Sequence, residues 1–169
     1  KVDSYPVVLK PIHSQVMIDG RLATLAAAVV RDERERLHYL RQWLPHTAVQ
    51  QQSYIYGRGV GVELLYNRGR KVWHFAHERI HECPLMGGGS TYRRSIWPDT
   101  QLLCASERLL NALEWHGVAM IEFKVESGGG FCLMEINPRF WGSLALSIDA
   151  GVNFPLGVLN LACSESPLP

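Results

Sequence analysis

The sequence predicts an α+β fold with mainly antiparallel sheets. Two observations carry this. The strand-like runs sit side by side around short turns: Val16-Met17-Ile18 and Arg21-Leu22-Ala23 flank Asp19-Gly20, and residues 118–125 and 131–136 flank a glycine turn at 127–130. An Asp-Gly pair between two such runs is a strong hairpin signal. The helical patterns fall between hairpins instead of alternating with single strands, as a doubly wound parallel sheet would require.

Taken in order, Val7-Val8-Leu9-Lys10 is a short apolar strand. Residues 32–44 carry Leu37, Leu40 and Leu44 at helical spacing among Arg and Glu, and Pro45 stops the helix. Residues 48–51 form a short strand. Residues 60–66 alternate with glycines, Asn67-Arg68-Gly69-Arg70 turns, and residues 71–77 return as a strand. Residues 83–95, with Gly87-Gly88-Gly89 and Ser90-Thr91, are expected to be a loop. Residues 99–114 place Leu102, Leu103, Leu109, Leu110 and Leu113 on one helical face. Residues 142–150, closed by Gly151, and residues 154–163 read as two further helices.

Composition narrows the class. The chain has 169 residues, 47% apolar and 20% charged, with a formal net charge of +1. That is ordinary for a soluble domain and gives no electrostatic basis for nucleic acid or an anionic membrane as partner. No apolar run approaches the roughly 20 residues that span a bilayer. Cys83, Cys104, Cys132 and Cys163 form no C-x-x-C pair and are expected to be reduced, mostly buried thiols of a cytoplasmic protein. A start at Lys1 followed almost at once by a strand is expected of a piece of a longer chain.

The most informative residues are Glu122 on one strand of the last hairpin and Glu135-Ile136-Asn137 on the other. Glu135 and Asn137 stand two apart, so their side chains leave the same face. Pairing through the glycine turn brings Glu122 beside them. Two carboxylates and an amide oxygen, with no sulfur or imidazole, suit Mg²⁺. Arg139 follows where it could neutralise a phosphoryl group. The plainer alternative is a pair of solvated carboxylates on an exposed hairpin. The apolar neighbours Met120, Ile121, Phe123, Leu133, Met134 and Ile136 weigh against it, because carboxylates in such a setting usually have partners.

Met120-Ile121-Glu122-Phe123 followed by Met134-Glu135-Ile136-Asn137-Pro138-Arg139 resembles the metal-binding signature of ATP-grasp enzymes, in the form of the carbamoyl-phosphate-synthase and biotin-carboxylase branch. Phe140-Trp141-Gly142-Ser143 with Ala150-Gly151-Val152 is similar to uncharacterised bacterial ATP-grasp proteins. The resemblance covers nearly the whole chain. It implies two lobes with mainly antiparallel sheets clamping ATP, and Mg²⁺ (or Mn²⁺) on Glu122, Glu135 and Asn137. Lys10 matches the strand lysine that contacts the α- and β-phosphates. Residues 51–57 resemble the hinge between the lobes, with Gln52, Ser53, Tyr54 and Ile55 around the adenine. Arg79 and Arg139 are the implied charge-neutralising residues. The implied division is residues 1–50 as part of the small lobe and 51–169 as the C-terminal catalytic lobe, without the N-terminal preATP-grasp domain. The implied reaction activates a carboxylate as an acyl phosphate for attack by an amine. Without the missing domain, this stretch alone is not expected to turn over.

Two positions depart from the family pattern. Gln52 replaces the hinge carboxylate, and Gly59 stands where some members place a ribose-binding Glu, which leaves the ribose contact open. The segment after Lys10 lacks a glycine-rich phosphate lid, so either Asp19-Gly20 forms a different lid or phosphate coverage is weaker. Other readings stay open: bicarbonate activation of the carbamoyl-phosphate type, a non-catalytic nucleotide-binding module, and a zinc peptidase. The last rests on His77-Glu78-Arg79-Ile80-His81, an H-E-x-x-H pattern that needs a helix with both imidazoles on one face, and on Glu107 as a third ligand. The strand expected at 71–77 and the break at Cys83-Pro84 oppose it. The glycines and arginine of residues 87–93 are a candidate anion cradle. Small-molecule substrates are the expected partners, and the sequence leaves a homodimer open.

Overall fold

The computed structural model describes residues 4–83 and 89–163. The described chain divides into two compact units, Lys1–Ile55 and Tyr56–Pro169.

In the first unit, β1 (Val7–Pro11) is the centre of a three-stranded antiparallel sheet, flanked by β4 (Ala28–Val30) and β5 (Val49–Ser53). Helix α1 (Glu33–Trp43) starts at Asp32, whose carboxylate accepts a 2.8 Å hydrogen bond from the Glu35 amide. That contact satisfies one of the amides a helix start leaves open. Val7, Leu9, Val30 and Trp43 form the buried core. The β2 (Gln15–Ile18) and β3 (Arg21–Thr24) hairpin turns through Asp19 and Gly20 at φ 49° and 74°. Two consecutive left-handed residues give the turn whose twist matches the strands, which is why Asp-Gly occupies it. Strand β5 belongs to this unit because it pairs with β1.

The second unit is built on a five-stranded antiparallel sheet in the order β10-β9-β6-β7-β8. The strands are β6 (Arg58–Asn67), β7 (Arg70–Cys83), β8 (Gly89–Ser95), β9 (Gly117–Val125) and β10 (Phe131–Asn137). Central β6 is buried along all but its end residues. On one face, Val60, Val62, Leu64, Tyr66, Ile121 and Phe123 pack under helix α2 (Thr100–Ala112), mainly through Leu102 and Leu110. Leu113, expected on that face, is 52% exposed because α2 ends one residue earlier. On the other face, Leu65, Phe75 and Met120 pack with Trp141 and Phe154, contributed by the chain around α3 (Leu144–Asp149) and α4 (Phe154–Ala162). This second cover leaves part of the face to polar residues.

Two expectations are corrected. Ser90 to Ser95 are not a loop: they form β8, because β7 runs on to Cys83 and offers an edge for pairing. Gly87 and Gly88 lie outside the described residues. All four cysteines are free and exposed. Cys104 is on the outer side of α2, away from buried Leu102 and Ser106, and Cys132 is on edge strand β10.

The core makes a direct prediction. Leu110 is 0% exposed and Leu156 47% exposed. Leu110→Ala should cost about 2–5 kcal/mol in urea unfolding, the range for a buried leucine, and Leu156→Ala should cost well under half as much.

Candidate functional site

The polar half of the second sheet is ordered by register. Glu135 on β10 is paired with Glu122 on β9, Glu122 with Gly61 on β6, and Gly61 with His77 on β7. One step along, Lys124 is paired with Gly59, and Arg79 with Arg93. In a strand, alternate residues share a face, so these side chains leave one side of the sheet. Gly59 and Gly61 are what let them fit. A Cβ at Gly61 would lie 2.5 Å from His77 Cε1, and one at Gly59 would lie 2.8 Å from Arg79 Cδ and 3.0 Å from Glu82 Oε1. The side chains of β7 therefore lie across the glycines of β6 toward β9.

The carboxylate hairpin has a local device. Phe131 and Ile136 both pack against the core under α2 although an odd spacing separates them. A β-bulge between Leu133 and Glu135 shifts the register and resets the alternation. Glu135 and Asn137 thereby share the face of Glu122. Asn137 Nδ2 donates to Glu135 Oε1 at 3.0 Å, and Arg139 Nη2 donates to Asn137 Oδ1 at 3.3 Å. The structure thus brings together Glu122, Glu135, Asn137 and Arg139.

Arg79 belongs to the same cluster. It lies inside β7, which continues to Cys83. Its Nη2 donates to Glu122 Oε1, and its Nη1 lies 3.7 Å from Glu82 Oε1. Lys124 Nζ lies 3.3 Å from Glu82 Oε2 and donates to the Gly57 carbonyl at 3.3 Å. Burial raises the Glu122 carboxyl above the usual carboxylate range; Arg79 opposes this and neighbouring Glu135 adds to it. Beside them, buried Glu63 accepts from His77 Nδ1 at 2.5 Å, while Glu63 Oε2 and His77 Nε2 have no partner among the described residues. Burial is also the main reason the Glu63 carboxyl is raised.

The donor set fits a hard divalent cation. Glu122, Glu135 and Asn137 offer oxygens only, and two adjacent carboxylates, one of them buried, carry repulsion that a cation would relieve. Among the described residues, no group of three or more His, Cys, Asp or Glu could hold a metal ion. The zinc arrangement fails on geometry. His77 to His81 lie in strand β7, His77 is buried against Glu63, and Glu78 points to the opposite face, held by Arg58 and Arg94 at 3.1 and 2.8 Å. Glu107 is paired with Lys71.

In the first unit, Lys10 is opposite Gln50, and Gln52 opposite Val8, so Lys10 and Gln52 share one face. The other face holds Val7 and Leu9 in the core, with Gln51 accepting from Arg36 Nε at 2.7 Å. Ser53, opposite Val7, is on this core side and not beside Lys10. Tyr54 and Ile55 follow β5 as half-buried residues without regular structure.

A family model described as "ATP-grasp in the biosynthetic pathway with Ter operon" matches residues 51–168. The chain belongs to the ATP-grasp family. Its fold is shared by solved ATP-grasp structures at low identity. The biotin carboxylase of Campylobacter jejuni, in a β-γ-ATP complex, is 19% identical with a TM-score of 0.72, over 98% of this chain and 38% of that one. The L-amino acid ligase of Bacillus licheniformis is 19% identical with a TM-score of 0.67, over 96% and 40%. The D-alanine–D-alanine ligase of Bacillus anthracis, complexed with ATP, is 17% identical with a TM-score of 0.64, over 96% and 54%. The ATP-grasp chain described here thus spans only part of the length of these proteins. No curated protein matches it in sequence.

Sequence reading missed the Glu63–His77 pair and the roles of Lys124 and Glu82. The signal was present in Arg58-Gly59-Val60-Gly61-Val62-Glu63, where every second residue is glycine or acidic. Gly61→Ala should push His77 off Glu63 and leave a buried carboxylate unpaired, costing about 1–3 kcal/mol or more. Gly128→Ala, which meets nothing within 4 Å, should be nearly neutral. Urea unfolding of both variants checks this.

Proposed function

We propose that this chain carries the nucleotide- and metal-binding residues of an ATP-dependent carboxylate–amine ligase. The observation that carries the reading is the pairing of Glu122 with Glu135, with Asn137 bonded to Glu135, inside the stretch matched by the family model. In this reading residues 1–50 contribute part of the small lobe and 51–169 the catalytic lobe.

The proposed reaction begins with a substrate carboxylate oxygen attacking the γ-phosphorus of ATP. The bond from the γ-phosphorus to the bridging oxygen breaks, and ADP leaves with that electron pair. An amine then attacks the acyl carbon, phosphate leaves, and the amine gives up a proton. Mg²⁺ (or Mn²⁺) on Glu122, Glu135 and Asn137 would offset charge on the β- and γ-phosphates. Lys10 binds the α- and β-phosphates as a point charge. Arg139 and Arg79 supply positive charge to the transferring phosphoryl group. Gln52, Ser53, Tyr54 and Ile55 hold the adenine. The sheet turns Ser53 away from Lys10, so its contribution is assigned to its backbone.

Three measurements test the reading. ATP binding should require Mg²⁺ or Mn²⁺, and Glu135→Ala and Asn137→Ala should each weaken it about tenfold or more while urea unfolding stays cooperative. Stoichiometric zinc with no response to ATP would overturn it. Lys10→Ala should weaken ATP and leave adenosine unchanged, because only the phosphates lose a partner. Equal weakening of both would place Lys10 outside the phosphate site. ADP release by the full-length protein should depend on a carboxylate and an amine together; stimulation by bicarbonate alone would move the assignment to carboxylation.

A further inference from the structure

Arg79 stands between two carboxylates. Its Nη2 donates to Glu122 Oε1 on one side, and its Nη1 is within ion-pair range of Glu82 Oε1, at 3.7 Å, on the other. All three side chains are largely buried, at 18% exposure for Arg79, 11% for Glu122 and 12% for Glu82. An ion pair at this depth is costly to break without replacement, because the abandoned carboxylate keeps its desolvation penalty. A divalent cation on Glu122 would supply that replacement. It would also repel the guanidinium now bonded to the same carboxylate.

Three features give Arg79 somewhere to go. Glu82 is already close enough to receive it with a small side-chain movement. Gly59 leaves open the space under the Arg79 stem and the Glu82 carboxylate, where a Cβ would come within 2.8 and 3.0 Å. Lys124 neutralises Glu82 meanwhile, at 3.3 Å, and has a second acceptor in the Gly57 carbonyl. Neither seat for the guanidinium is left as a bare buried charge in either arrangement.

We infer that Arg79 is an exchangeable counter-ion of the metal site: it neutralises Glu122 until a divalent cation binds there, and Glu82, a positioning residue, then receives it. This rests on the metal reading proposed above. It assigns Glu82 and Gly59 a role in setting metal affinity although neither touches the metal.

The consequence is a coupling that simple charge cannot produce. Glu82→Gln removes the receiving carboxylate, holds Arg79 on Glu122, and lowers cation affinity. Once Arg79 is gone there is nothing to receive, and Glu82→Gln should have no effect. A through-space field from Glu82 would instead weaken the cation by the same factor in both backgrounds. Mn²⁺ alone is the probe, with free Mn²⁺ followed by electron paramagnetic resonance and no nucleotide or turnover involved. In the wild type, Glu82→Gln should weaken Mn²⁺ by roughly threefold or more, the scale of coupling within one ion-pair network. In Arg79→Ala the same change should leave Mn²⁺ affinity unaltered, and Arg79→Ala alone should bind Mn²⁺ more tightly than the wild type. Arg79→Gln, which keeps the stem volume, repeats the cycle should the alanine variant fail to fold. Equal weakening in both backgrounds, or weaker binding by both Arg79 variants, overturns the inference while leaving the metal assignment intact. Wild-type Mn²⁺ binding that is absent, or indifferent to Glu135→Ala, removes the metal assignment and this inference with it.

Discussion

The absence of side chains at Gly59 and Gly61 is the constraint on which the polar half of the second unit depends. Strand β6 is the middle of the five-stranded sheet and is buried on both faces. Side chains at these two positions would separate β7 from β9 on that face. Because there are none, His77 and Arg79 lie across β6, and Arg79 reaches Glu122 two strands away. The hydrophobic face of the same strand is unaffected, since Val60, Val62 and Leu64 point the other way into the core under α2. One strand therefore serves packing on one side and lets charge be assembled on the other.

Burial then sets the electrostatics. Glu122 and Glu63 both sit where water cannot solvate them, and both carboxyls are raised for that reason first. Glu78, on the opposite face of β7, shows the contrast: burial pushes it upward, but hydrogen bonds from Arg94 and Arg58 outweigh this and hold it below the usual range. Glu78 is a saturated structural carboxylate. At Glu122 burial, reinforced by like-charged Glu135, outweighs the hydrogen bond from Arg79. Perturbation of that kind, combined with convergent oxygens, is what distinguishes a candidate site from an ion pair that only holds strands together.

Much of this was legible in the sequence, and what was missed has a physical reason. The α+β class, the Asp19-Gly20 hairpin, α1 and the β9–β10 hairpin all follow from local signals, because turns and hydrophobic periodicity are written within a few neighbouring residues. The pairing of Glu122 with Glu135 was readable through the glycine turn. Strand β8 was not, because Gly87-Gly88-Gly89 reads as a loop and pairing with β7 is a tertiary fact. The cysteines were misread because burial preference is statistical, while exposure is decided by the face of the element each occupies. Glu63 and His77 are separated in sequence and meet only across the β6–β7 register.

The bulge in β10 shows how narrowly the site is specified. Strand residues alternate, so Phe131 and Ile136, five apart, cannot both face the core in a regular strand. Either the core loses one of them, or the chain inserts an extra residue. The extra residue falls between Leu133 and Glu135. Ahead of it, Cys132 is opposite Lys124; after it, Glu135 is opposite Glu122. Without the bulge, the pairing that continues from Leu133 and Phe123 would put Met134 opposite Glu122 and turn Glu135 and Asn137 toward the core under α2. Burying two unpartnered polar groups there would cost several kcal/mol. The apolar requirement of the core and the polar requirement of the site are thus met by the same one-residue shift. Met134, as the extra residue, is the one whose removal would still leave Glu135 opposite Glu122 and Ile136 opposite Ile121; a shift anywhere else in the strand would damage core and site together.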